Sequence, residues 1–211
     1  MAKLRKRNKL VEGIGVNDAD YCVQPMVGDK QSKCPIYFRW VNVLKRCTPK
    51  YQTAHPTYIG CEVCDEWKSF MAFRAWMITQ EWEGKDLDKD LLGCGKIYSP
   101  ENCCFIDGAI NKLLTDRVGA RGPYLLGVAR NSGKGKPYRA QLSKYGYRYG
   151  LGYFDTQEEA HLAYCKAKLD HARDVVKDEE PRVREAVIAR LTEQLKAAES
   201  AVTKEKIDAT S

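Results

Sequence analysis

Residues 138–144 and 147–154 form two stretches of alternating character, and only Tyr145-Gly146 separates them. Extended segments joined by two residues can only fold back on each other, which makes this part of the chain a tight antiparallel hairpin. Residues 124–130 read as a third strand. Thr156, with Glu159 three residues later, has the form of a capping box that opens a helix. Along that helix Ala160, Ala163, Tyr164 and Ala167 fall on one face. A three-stranded sheet needs one face covered, and this helix supplies the cover.

The pleat then sorts the side chains. In the second strand Ala140 and Leu142 point one way, while Arg139, Gln141 and Ser143 point the other. In the third, Tyr149 and Leu151 go with the core, and Arg148 goes outward with Gly150. The outward face therefore carries Arg139, Gln141 and Arg148, with Arg130, Lys134, Lys136 and Lys144 around its edges. Arg and Gln suit base edges in a major groove wide enough for β-strands, and lysines suit phosphates. The other reading of the same residues is a solvated polar face. The net charge of +7 and the pI near 8.9 favour a polyanionic partner.

The order Leu126-Gly127-Val128, Tyr138-Arg139-Ala140, Leu151-Gly152-Tyr153-Phe154-Asp155-Thr156, Glu158-Glu159-Ala160 and Ala163-Tyr164 resembles the apetala/ethylene-response-factor (ERF) DNA-binding domain. The resemblance implies a three-stranded sheet laid in the major groove of double-stranded DNA, with one helix behind it. Plant members of that family carry Arg just after Gly-Val and Trp before Leu-Gly. Here Ala129 and Gly150 stand in those places, so the plant members' target sequence does not transfer.

Upstream, residues 1–33 are polar, basic and without periodicity, and read as an irregular arm. Tyr37, Trp40, Val41, Leu44 and Cys47 recur at helical spacing, as do Trp67, Phe70, Phe73, Trp76, Met77 and Gln80; aromatics so placed read as core. Lys85–Leu92 reads as a short strand, and Ala109–Leu114 begins a helix. Thr115–Pro123 is Gly-rich, polar and closed by proline, which marks a boundary. Beyond Asp178–Pro181, the four-residue spacing of Val183, Val187, Leu191 and Leu195 predicts a last helix packed on the body or on a partner.

The stretch Leu87-Asp88-Lys89-Asp90-Leu91, a glycine loop, Tyr98-Ser99-Pro100-Glu101-Asn102 and then Asn111 resembles an HNH endonuclease. In that family a strand ends in Asp-His, a middle Asn fixes the loop, and a His or Asn opens the last helix. The resemblance implies one divalent cation, Mg²⁺ or Mn²⁺, that stabilises charge on the scissile phosphate while the histidine activates water. Carried over, it gives Asp88, Lys89 and Asn102 as catalytic candidates and Asp88, Asp90 and Asn111 as metal ligands. The departure is Lys89 at the histidine's place, since lysine is a poor general base at neutral pH. From about Pro35 to Ala172, including Trp40, Arg46, Cys47, Val63, Cys64, Glu66 and Trp67, the layout resembles phage-type homing endonucleases that join the two halves; these relatives show Asp-Arg or Asp-Lys here. Without the resemblance, Asp88 and Asp90 read as a solvated strand edge and Asn102 as a turn residue.

Nine cysteines, an odd number, with no export signal argue against a disulfide framework. Cys61-x-x-Cys64 with Cys34 and Cys47 makes a candidate four-thiolate site for structural Zn²⁺, with His55 as a substitute ligand. The same cysteines also read as small buried apolar groups.

These readings give an α+β chain. An irregular arm (1–33) precedes an HNH-like, ββα-metal domain (34–114) and a linker (115–122). An ERF-type domain (123–175) and a C-terminal helix (180–207) follow. Hydrophobic residues at 44% and charged residues at 30% match a folded chain, and no apolar run is long enough to span a membrane. The basic N-terminus (Lys3, Arg5, Lys6, Arg7, Lys9) lacks the apolar stretch of a signal, so a cytoplasmic protein without a membrane partner or small-molecule cofactor is expected. Three functions stay open: a site-directed metal-dependent DNA endonuclease, a non-catalytic DNA-binding protein or regulator with a degenerate nuclease half, and a binder of structured RNA. The oligomeric state is not read from the sequence.

Overall fold

The computed structural model describes residues 10–32, 34–93, 95–116, 123–133 and 135–208. It comprises two compact units, Met1–Ile106 and Asp107–Ser211. The chain is mixed α+β.

The first unit is built on aromatic packing. Helix α1 (Pro35–Arg46) begins with proline, whose missing N–H costs nothing at a helix start, and buries Ile36, Trp40, Val43 and Leu44 along one stripe. Thr48 caps α2 (Pro49–Ala54) by accepting from the Tyr51 N–H, and Ser69 caps α3 (Phe70–Met77) by accepting from Ala72. The spacing that predicted one helix through Trp67 and Gln80 is interrupted. Glu66–Lys68 is a separate 3₁₀ turn, and α3 starts only after the Ser69 cap. The core expectation for these aromatics holds: Trp40, Trp67, Phe70, Phe73 and Met77 are all fully buried. Trp40 Nε1 donates to the Trp67 carbonyl at 2.7 Å, whereas the buried Nε1 of Trp67 itself finds no acceptor among the described residues.

Residues 10–32 correct the reading of a bare irregular arm. Strands β1 (Met26–Val27) and β2 (Lys30–Gln31) pair as a small hairpin. Val16 bridges Ser69, and Val23 is buried. A Cβ at Gly15 would sit 2.5 Å from Leu44 Cδ1 and from Trp40 Cζ2, so the chain crosses α1 closely there. The Asp18 carboxylate accepts from Ser69 Oγ at 2.6 Å and from Met71 N at 2.9 Å, which fastens the segment to the start of α3. The signal was a single aspartate, and its partners lie far along the chain.

Two short strand pairs complete this unit. Strand β3 (Glu62–Val63) runs parallel to β5 (Ile97–Tyr98), and β4 (Asp86–Asp88) antiparallel to β6 (Cys104–Ile106). The expected strand over 85–92 is thus cut short after Asp88, for a reason given below.

In the second unit α4 (Gly108–Leu114) is capped by Asp107, whose Oδ1 accepts from Ala109 and Ile110. It packs on α5 (Gln157–Val175), so it belongs with the C-terminal unit and not, as expected, with residues 34–106. Residues 117–122, most of the expected linker, lie outside the described residues. Strands β7 (Val128–Arg130), β8 (Tyr138–Lys144) and β9 (Tyr147–Phe154) form an antiparallel sheet in that order. The first strand is shorter than predicted because Leu125–Val128 closes a turn, with Val128 N donating to the Leu125 carbonyl. Tyr145 and Gly146 both have positive φ, 53° and 83°, the backbone that a two-residue hairpin turn needs.

Thr156 caps α5, accepting from Glu159 N at 3.2 Å, while the Glu159 carboxylate turns to Lys206, 3.9 Å away. That contact brings the end of α6 (Pro181–Asp208) back to the start of α5. Val183, Val187, Leu191, Ala198 and Val202 are buried, with Leu195 packed between. The step from 195 to 198 is three residues, which returns the stripe to the α5 side before the four-residue drift carries it away. Among the described residues no helix is long and apolar enough to cross a membrane.

Candidate nucleic-acid interface

The sheet presents its two faces unequally. Ala140 is fully buried and Val128 and Leu142 nearly so, packed with Ala160 and Tyr164 of α5. Register then assigns the opposite face. Arg139 lies between Ala129 and Tyr153, Gln141 opposite Gly150, and Ser143 opposite Arg148. The expected outward set Arg139, Gln141 and Arg148 therefore shares one face of the second unit.

Two details differ from simple alternation. A register shift falls between Ala140 and Gln141: Ala140 pairs with Gly152 and Gln141 with Gly150, leaving Leu151 as the extra residue. Leu151 still packs inward, as expected, but beyond it the alternation is reversed. Tyr153 consequently joins Arg139 on the open face and is 54% exposed. Sequence reasoning missed Tyr153 because a bulge changes no residue type; beside the bulge Gly152 takes φ 125°, a backbone that favours glycine. Tyr149 pairs with Leu142 as the pleat requires, yet stands 46% exposed near the hairpin tip.

Arg139 is held in place. Its Nη2 donates to Gln141 Oε1 at 3.1 Å, and its buried Nε finds no acceptor among the described residues. Arg148 is exposed and meets no partner among them. The edge cations are mostly engaged or displaced. Lys136 Nζ lies 2.6 Å from Asp155, which raises its pKa through the hydrogen bond, and Lys144 lies 3.8 Å from Asp174. Arg130 shares the helix-side face with Tyr138, over whose ring its guanidinium sits at 5.8 Å; the expectation of an outward edge position is corrected accordingly. Lys134 lies outside the described residues.

The nuclease-like residues of the first unit form a turn after β4. Asp88 Oδ1 accepts from Asp90 N at 2.9 Å and Leu91 N at 2.8 Å, which bends the chain and ends the strand. Lys89 is 6% exposed, with Nζ 2.6 Å from Asp90 Oδ1 and above the rings of Tyr58 and Tyr98. That arrangement makes Lys89 a packed partner of Asp90. A Cβ at Gly93 would meet Asn102 Oδ1 at 2.4 Å, and one at Gly95 would meet Asp90 Oδ1 at 2.6 Å. Asp90 and Asn102 are therefore the two posts around which the glycine loop is wrapped. Asn111 is exposed on α4 of the other unit, where its Oδ1 accepts from Thr115 Oγ1 at 3.4 Å.

A divalent cation needs several oxygens free to converge. Asp88 spends one carboxylate oxygen on backbone amides, and Asp90 spends one on Lys89. Among the described residues no three His, Cys, Asp or Glu side chains gather as an ion would need. The same holds for the cysteines. Cys34 approaches Tyr21 Oη at 3.9 Å, and Cys61 Sγ donates to the Gly95 carbonyl at 3.7 Å. Burial pushes the Cys47 thiol up to about 12, aided by neighbouring Cys61, and also raises Cys64. Cys61 is buried, while Cys34, Cys47 and Cys64 are half-buried.

In comparison with known proteins, the chain matches no protein-family model, no curated protein and no solved structure.

Proposed function

We propose that this chain binds double-stranded DNA through the open face of the β7–β9 sheet. One observation carries the reading: the face opposite α5 holds Arg139, Gln141, Arg148 and Tyr153 together, the first two half-buried and the last two exposed. Arg offers the two donors that guanine O6 and N7 accept, Gln offers the donor and acceptor that match adenine N7 and N6, and a twisted sheet fits the major groove. Binding falls steeply with added salt as phosphates release their counterions. Arg139→Ala and Arg148→Ala each relax preference at one base step by about 1–3 kcal/mol. Fluorescence anisotropy on selected duplexes measures both effects. Salt-insensitive binding, or variants that bind every duplex like the parent, would overturn the reading. Duplex RNA competing as well as duplex DNA at matched salt would point to a shape reader instead.

A second reading, metal-dependent cleavage of the bound DNA, has one observation in its favour. Asp88 pairs with Cys104 at the end of β4, and Asn102 lies two residues before that partner, so both candidates stand at one end of one strand pair. Plasmid nicking with Mg²⁺ or Mn²⁺ against EDTA decides it, beside Asp88→Asn, which keeps an oxygen for the turn while removing the charge. Metal-independent nicking, or none on DNA that the protein binds, would sink it.

A further inference from the structure

The open face has a hole in its middle. Gly150 stands in the interior of β9, directly opposite Gln141 and flanked on the same face by Arg148 and Tyr153. A glycine weakens a strand interior, so one that persists there calls for a physical reason. Positive φ is not the reason. The bulge's unusual backbone is borne by Gly152 at φ 125°, and Gly150 is not among the positive-φ glycines. Crowding is not the reason either, because a Cβ built at Gly150 meets nothing within 4 Å. Gly127 shows the contrast: there φ is 80° and a Cβ would strike the Tyr164 ring at 2.1 Å.

What remains is an approach from outside the chain. We propose that Gly150 is a clearance: bound DNA brings a base edge close to the β9 backbone there, so that the shorter Gln141 side chain reaches that edge beside Arg139. Cross-strand neighbours place their Cβ atoms about 5 Å apart, so any side chain at 150 would occupy the space of the base that Gln141 reads. This assignment rests on the DNA-binding reading of the same face and makes Gly150 a determinant of specificity that the protein's own fold does not require.

The test is a graded series, Gly150→Ala, Gly150→Val and Gly150→Leu, in the full chain. Thermal unfolding comes first: the Tm stays at the parent's value or rises by a few degrees, as expected where an L-residue fits the glycine's backbone. Affinity for a short random-sequence duplex, measured by anisotropy at low salt, then falls stepwise with side-chain size. At leucine the loss is roughly five- to hundredfold, the range of one lost base contact. Selection from a random duplex pool relaxes the same base position in Gly150→Leu as in Gln141→Ala. A Tm loss in Gly150→Ala would give the glycine a structural role and overturn the proposal. Parent-like affinity in Gly150→Leu would overturn it while leaving DNA binding intact. A parent protein that does not bind duplex DNA at all would instead remove the reading on which it rests.

Discussion

Gly127→Ala tests the packing of the sheet on its helix most severely. Gly127 sits at φ 80° in the turn before β7, and its Cα lies against the Tyr164 ring. An L-residue in left-handed backbone costs about 1–2 kcal/mol. The added Cβ would be 2.1 Å from both Cγ and Cδ2 of Tyr164, where about 3.5–4 Å is an ordinary carbon contact. Tyr164 is 9% exposed and packed with Leu142 and Cys165, so the ring has little room to yield. Overpacking of that kind costs about 1–3 kcal/mol, for a total of about 2–5 kcal/mol. Against a typical stability of about 5–15 kcal/mol that is a large share, and a Tm drop of roughly 10 °C or more follows for a unit of this size. Urea unfolding followed by far-ultraviolet circular dichroism measures it. A double-mutant cycle separates the two causes. Tyr164→Ala alone costs about 3–5 kcal/mol, and it removes the steric part of the Gly127→Ala penalty. The double variant should therefore fall short of the sum by about 1–3 kcal/mol. A Gly127→Ala cost below about 1 kcal/mol, or strict additivity in the cycle, would refute the reasoning.

Three further outcomes are expected. Asp18→Ala removes the acceptor for Ser69 Oγ and Met71 N, costs about 1–2 kcal/mol as a lost cap does, and exposes residues 10–32 to limited proteolysis; an unchanged digestion pattern would contradict the fastening. Trp40→Phe strands the buried Trp67 carbonyl, and denaturant unfolding should show a loss of about 1–3 kcal/mol before any cavity cost is added. Burial, with the Lys144 charge second, holds the His171 imidazole below its ordinary value. The unfolded chain then takes up that proton first, so the stability contributed by neutral His171 is full above about pH 6.5 and is lost as pH falls toward the folded value. Tm measured across this range should slope less in His171→Gln, and an identical slope would exclude the histidine.

The second unit was legible in the sequence to an unusual degree. A two-residue connector forces a hairpin, a threonine-led cap starts a helix, and alternation chooses which face that helix covers; each signal is local and needs no distant partner. Where legibility failed there, the cause was local too. Alternation is a parity rule, and one bulged residue reverses it, which is why Tyr153 was not seen to face outward. The first unit was less legible because its elements are short and its decisive contacts are distant. Trp40 finds the carbonyl of Trp67, Asp18 finds Ser69, and short strands such as Glu62–Val63 are too brief to leave a period.

The nuclease-like residues show the limit most clearly. Their order suggested a metal and a base, but order does not say how a carboxylate spends its oxygens. Only the fold shows Asp88 turning the chain, Asp90 holding Lys89, and the glycine loop wrapped on Asp90 and Asn102. The hairpin, the backing helix and the cations of the open face could be read from residue order alone, because they follow from adjacent residues and a fixed pleat. The tertiary structure decided which side chains are free to meet a ligand. That depends on partners brought together from across the chain, and on the empty space above Gly150 that no residue pattern records.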